Sequence, residues 1–233
     1  MEYARNGSRA RLLLVSGAVR TVILPATPLL VLGPTPGRAA DPLAQVRGAV
    51  GRALTELTAD GRLPLVLAHG AVLRQGRMRP SLAGSGIGER WLPGPSAGID
   101  PSGAGGPWAD HELPAAGTGA SVALLALAEV LGARTGDVVT LEVPPRATAL
   151  DGTPLDDAAL ALLRRADCLV VAGGGAPGGL DTGPDALTQG IRAALRAAGA
   201  DERTAEVQVF PQVHDHLPLE YRVTVLSDRK MTA

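Results

Sequence analysis

Apolar positions along this chain switch between two periods. Residues 12–24 form an apolar, partly β-branched run broken at Ser16-Gly17, which predicts one buried strand. Residues 42–58 place Leu43, Val46, Val50, Ala53, Leu54 and Leu57 at helical spacing, with Asp41 suited to the N-cap and Pro42 to the first helical position. Asp60-Gly61 closes that helix, and residues 63–68 are a second buried strand ending at His69-Gly70. Residues 121–131 are helical again, capped by Thr118 or Ser121 and stopped by Gly132. A strand follows at 138–143 and a helix at 154–165, with Thr153 as its cap. The next strand, 168–172, runs into Gly173-Gly174-Gly175, and a helix over 184–198 ends at Gly199. Residues 207–210 and 221–226 are late strands.

Strands and helices alternating in this way predict an α/β fold. It has three layers, with a mostly parallel central sheet and helices on both faces. The expectation is a single α/β domain over residues 1–233, with 1–18 an N-terminal extension or first strand. Residues 74–118 break the rhythm: rich in Gly, Pro and Ser, they read as one long loop region. In such sheets ligands sit beyond the carboxyl ends of the strands. The loops of interest are therefore 25–28, 69–70 and 173–181.

Composition narrows the class. The chain has 233 residues, 45% of them hydrophobic, with no uninterrupted apolar stretch of membrane-spanning length. Only 2% are aromatic, so the core must be built from Ala, Leu and Val. A net charge of −1 without a basic stripe predicts neither a nucleic-acid nor a membrane partner. Arg5, Arg9 and Arg11 before Leu12 loosely mimic a secretory leader, but the apolar run is short and interrupted by Arg20. One cysteine, Cys168, permits no internal disulfide, and a cytoplasmic location is expected.

Four histidines are candidate metal ligands: His69 at a strand end, His111 between Asp110 and Glu112, and His214 and His216, which would share a face on a strand. His69 also reads as a strand-end histidine bonded to backbone. The stretch Gly173, Gly174, Gly175 to Asp181 is a glycine-rich turn able to bring backbone N–H groups to a ligand, or a tight structural crossover. Neither GxGxxG nor a phosphate-binding GxxxxGK[ST] is present, nor GxSxG, HExxH or a paired CxxC. Cys168 lies inside an apolar strand and reads as packing.

Residues 22–31, VILPATPLLV, followed by the helix over 41–57, resemble the start of the class III extradiol ring-cleavage dioxygenases, and in particular an actinobacterial branch of that superfamily that is poor in metal ligands. Residues 169–175, LVVAGGG, and 176–181, APGGLD, are similar to later parts of that group. In the active enzymes the first strand ends in a His-Pro-Pro loop whose histidine binds iron. A second histidine ligand follows the next strand, a carboxylate comes later, and a catalytic histidine follows a glycine-containing strand end. Here Ala26 or Thr27 stands in the first position, His69 matches the second, and residues 176–181 hold no histidine. The likeness covers both ends of residues 19–200.

The resemblance implies a relative lacking the complete iron site. Such a protein has no expected cofactor and binds a small molecule around Ala26, Thr27, Gly173, Gly174, Gly175 and Asp181. The alternative is a metalloenzyme, a ring-cleavage dioxygenase or hydrolase, whose relocated site holds Fe(II) or another divalent metal through His69 with His111, His214 or His216. Residues 166–175 also resemble the strand and Gly-Gly turn of a molybdopterin-binding-like domain. A homo-oligomer, or a structural chain paired with a catalytic partner, completes the set.

Overall fold

The computed structural model describes residues 19–33, 41–92, 107–108, 112–145, 155–173, 187–200, 203–215 and 217–227. Seven strands form one mixed sheet: β1 (Arg20–Pro25), β2 (Leu65–His69), β3 (Arg74–Arg77), β4 (Val139–Val143), β5 (Cys168–Gly173), β6 (Thr204–Pro211) and β7 (Glu220–Ser227). Their order is β3-β4-β2-β5-β1-β7-β6. Four helices accompany them: α1 (Ala44–Leu57), α2 (Thr118–Leu131), α3 (Asp157–Arg165) and α4 (Gln189–Ala197).

The fold is α/β, but the sheet is less parallel than the alternation of elements suggests. The central strands β4, β2, β5 and β1 run parallel, β3 and β7 run against them, and β6 runs against β7, so half of the six neighbouring pairs are of each kind. Connection length is the reason. Residues 70–73 are too few for a parallel crossover, so the chain turns back as β3, and residues 212–219 close a hairpin between β6 and β7.

Side-chain alternation along the strands separates two apolar clusters. Val22, Leu24, Val66, Ala68, Val170 and Ala172 meet α1 and α2. Leu65, Leu67, Leu141, Val143, Leu169 and Val171 meet α3 and α4. Leu67, Leu141 and Leu169 are fully buried, each worth about 1.5–3 kcal/mol relative to exposure. With few aromatic rings available, leucine, valine and alanine supply this core.

α2 is apolar all round because it lies over the sheet with α1 against it, and nine of its residues are buried. Among the described residues, Thr118–Asp137 is the one helical stretch long and apolar enough to cross a membrane, and 61% of its apolar window is buried inside the protein. α3 and α4 are amphipathic. Ala159 and Leu163 of α3, and Ile191, Ala194 and Leu195 of α4, face the second cluster.

Several helix starts differ from the expected ones. α1 begins at Ala44, not at Pro42, because the Asp41 carboxylate accepts from the Leu43 N–H at 3.0 Å and pairs with Arg47, which shapes a turn before the helix. Neither Thr118 nor Ser121 caps α2. Gly117 occupies that position, and the Ser121 hydroxyl instead accepts from the Ser81 N–H at 2.8 Å inside the core. Asp156, accepting from Ala159 at 2.7 Å, caps α3, and Thr153 lies outside the described residues. Thr188 caps α4 by accepting from Ile191 at 3.3 Å. The expected loop over 74–118 contains β3 and two short 3-10 turns, Ala83–Ser85 and Glu89–Trp91.

Two glycines test this packing. A Cβ on Gly190 would run into the Pro144 carbonyl oxygen, whereas one on Gly119 meets Ala172, Ala26 and Ala68 at an ordinary 3.5–3.8 Å. Gly190→Ala is expected to cost about 1–3 kcal/mol. Gly119→Ala is expected to leave stability unchanged or raise it by up to about 1 kcal/mol, since alanine favours helix. Urea unfolding midpoints of the two variants check the contrast.

Candidate functional site at the strand ends

The carboxyl ends of β1, β2, β4 and β5 form one rim. The chain leaves β1 and β2 toward the face of α1 and α2, and leaves β4 and β5 toward the face of α3 and α4. Neighbouring strands whose connections part in this way open a crevice at their ends.

Glu142 stands at this rim and is fully buried. Its register partner on β2 is Ala68. Glu142 Oε1 accepts from the Gly117 N–H at 2.6 Å, where α2 begins. Glu142 Oε2 accepts from Arg74 Nε at 3.0 Å and also from Arg74 Nη2. Arg74 Nη1 donates to the Ala115 carbonyl at 3.2 Å. One carboxylate thus ties β4, the edge strand β3 and the entry to α2. Gly70 has no side chain for a local reason: a Cβ there would lie 2.9 Å from the Glu142 Cβ and 3.0 Å from its Oε2.

His69 is half-buried beside this cluster but does not join it. Alternation along β2 places His69 with Leu65 and Leu67, on the side opposite Ala68 and Glu142. Burial holds its imidazole pKa below the ordinary value, with the Glu142 charge partly offsetting that effect.

At the position expected for the first imidazole, Ala26 and Thr27 are both partly buried. Ala26 is partly buried against the first cluster, close to Gly119 of α2. Thr27 hydrogen-bonds the Tyr221 side chain, whose pKa is raised by burial and lowered in part by that bond. Gly173, the last residue of β5, packs so that a Cβ would meet Ile23 Cγ2 at 2.8 Å. Gly174, Gly175 and Asp181 lie outside the described residues, as do His111 and His216.

His214 sits in the β6–β7 hairpin, where its carbonyl accepts from the Leu217 N–H at 2.9 Å. That hairpin is on the same rim as His69, but β5 and β1 intervene between β2 and β7. Three strand spacings put the two histidines roughly 14 Å apart or more. Among the described residues no three His, Cys, Asp or Glu side chains gather to hold a metal. The Cys168 thiol is buried, with its pKa pushed up to about 11 mainly by that burial, so it behaves as a packing group.

A concavity of about 310 Å³ lies between β3 and α3 and is lined by Gln75, Gly76, Val139, Ala161, Leu162 and Arg165 among others. Val139 opens β4, so this groove belongs to the opposite end of the strand from Glu142.

Glu142 and Arg74 escape a motif search because they sit 68 residues apart and match no spacing rule. The one available signal is a lone acid within the apolar run 138–143.

The cluster makes two measurable claims. Arg74→Met leaves a buried carboxylate with the Gly117 N–H as its main support. Since the Arg74 side chain is 39% exposed, the expected loss is about 2–3 kcal/mol, below that of a fully buried pair, read from denaturant unfolding. For His69, the unfolded chain takes up a proton near pH 6.5, before the folded chain does. Stability is therefore greatest above that pH and falls as pH drops toward the lowered folded value. His69→Gln is expected to flatten this part of the stability–pH curve, and urea midpoints between about pH 7.5 and 5.5 will show it.

The chain matches no family model, no curated protein and no solved structure.

Proposed function

We propose that this chain is a metal-free relative of the class III extradiol ring-cleavage dioxygenases, on a three-layer α/β core, that binds a small molecule at the sheet rim without oxygen chemistry. The observation supporting this reading is the engagement of Glu142. Oxygen-activating Fe(II) sites use two imidazoles and a carboxylate around one point, with open positions for substrate and oxygen. Here the rim carboxylate is neutralised by Arg74 and the Gly117 N–H, and His69 stands on the other side of its strand. A methyl group at Ala26 and a hydroxyl engaged by Tyr221 at Thr27 supply no imidazole. The described donors do not fit iron. The diverging connections of neighbouring strands support binding at this end of the sheet, and Gly173, at the end of β5, is the proposed start of the backbone surface for the ligand.

The test is metal analysis of protein purified without chelators, together with oxygen uptake and calorimetry using catechol. Substoichiometric iron, manganese and zinc, no oxygen consumption and measurable catechol binding are expected. Stoichiometric metal that disappears in His69→Ala would establish the relocated metalloenzyme instead. Failure of catechol to bind would remove the small-molecule part of the proposal.

A further inference from the structure

The two edges of the sheet are built differently. β3 has four residues, carries Arg74 and Arg77, and holds Gly76 at φ 128°. Shortness, cations and an irregular backbone keep an edge strand from pairing with another chain. β6 has eight residues, is exposed along nearly all of them, and has Glu206 as its single charged side chain. Val207 and Val209 are each 45% exposed on it.

The hairpin shows which peptide groups of β6 are unpaired by the sheet. The Gln212 N–H donates to the Leu219 carbonyl at 2.8 Å, in line with the β6–β7 register. Antiparallel alternation then turns the peptide groups of Thr204, Glu206, Gln208 and Phe210 toward β7, and those of Ala205, Val207 and Val209 outward. Pro211 belongs to the outward set and has no N–H to offer.

We propose that β6 pairs antiparallel with β6 of a second copy of this chain, across a two-fold axis at Val207. In this register Val207 faces its own symmetry mate and Ala205 faces Val209. All three outward residues of each strand then exchange N–H···O=C bonds. Glu206 faces Gln208, so a carboxylate meets an amide donor. Moving the axis to Glu206 would set two carboxylates opposite each other, which is destabilising. Moving it to Gln208 would bring Pro211 opposite Ala205 and forfeit a donor on each strand. On one sheet face Ala205, Val207 and Val209 join their mates in a continuous apolar stripe. The edge is thus self-complementary in hydrogen bonding, charge and apolar surface, and this is why a second copy is its occupant.

The mass of the full chain in solution tests this. Light scattering is expected to read twice the 23.7 kDa of one chain, and Val207→Lys, which puts two ammonium groups at the axis, is expected to read a single chain with an unchanged circular dichroism spectrum. Val207→Cys gives an independent measure. Residues facing each other in a hydrogen-bonded pair have Cα atoms about 5.5 Å apart, within the span of a disulfide. Diamide oxidation of Val207→Cys should yield a covalent dimer. Val213→Cys, beyond the paired segment, should not, and the buried Cys168 should not contribute. A wild-type chain that stays at 23.7 kDa overturns the proposal. So does a dimer that survives Val207→Lys and fails to cross-link through residue 207, a result that would point to another surface.

Discussion

A carboxylate with no exposure to water must be neutralised where it stands, and Glu142 sets this requirement at the rim of the sheet. Arg74 meets it from the edge strand and the Gly117 N–H meets it from the start of α2. Much local geometry follows. β3 is held against β4, residues 115–117 are brought to the rim, and Gly70 must remain without a side chain. The same commitment makes Glu142 a poor metal ligand, because an incoming cation would have to displace a guanidinium and a helix-entry N–H together.

Strand alternation is the second constraint. A step of one residue along β2 separates Ala68, on the Glu142 side, from His69, on the side of Leu67. Residues close in sequence and at the same strand end therefore serve different faces. Around Gly119, the small side chains of Ala26, Ala68 and Ala172 let α2 settle close to the strand ends. At the end of β1 the rim is occupied by packed small side chains, with Ala26 lying against the first cluster.

The edges carry the same physics outward. At β3 two arginines protect the sheet, and one of them also serves the interior by neutralising Glu142. Among the described residues β6 carries no pair of cations like that of β3, and Val213 and Leu219 in the adjoining hairpin are also strongly exposed, at 90% and 88%.

Much of the architecture was legible in the chain, because burial writes a period into it. The core of α1 was visible in the spacing of Val46, Val50, Leu54 and Leu57, and β5 was visible as an unbroken apolar run. The positive-φ glycines Gly61, Gly132 and Gly199 marked turns and helix ends where expected. Cap identity was less legible, since Asp156 and Thr153 are both good capping residues and tertiary placement decides between such neighbours. β3 was hidden because RQGR has no apolar alternation and owes its strand form to pairing with β4. Glu142–Arg74 and the separation of His69 from His214 belong to tertiary structure alone. Local sequence encodes which side chains seek burial. Which distant charge arrives to neutralise a buried one depends on how the strands are ordered, and no period in the sequence records that order.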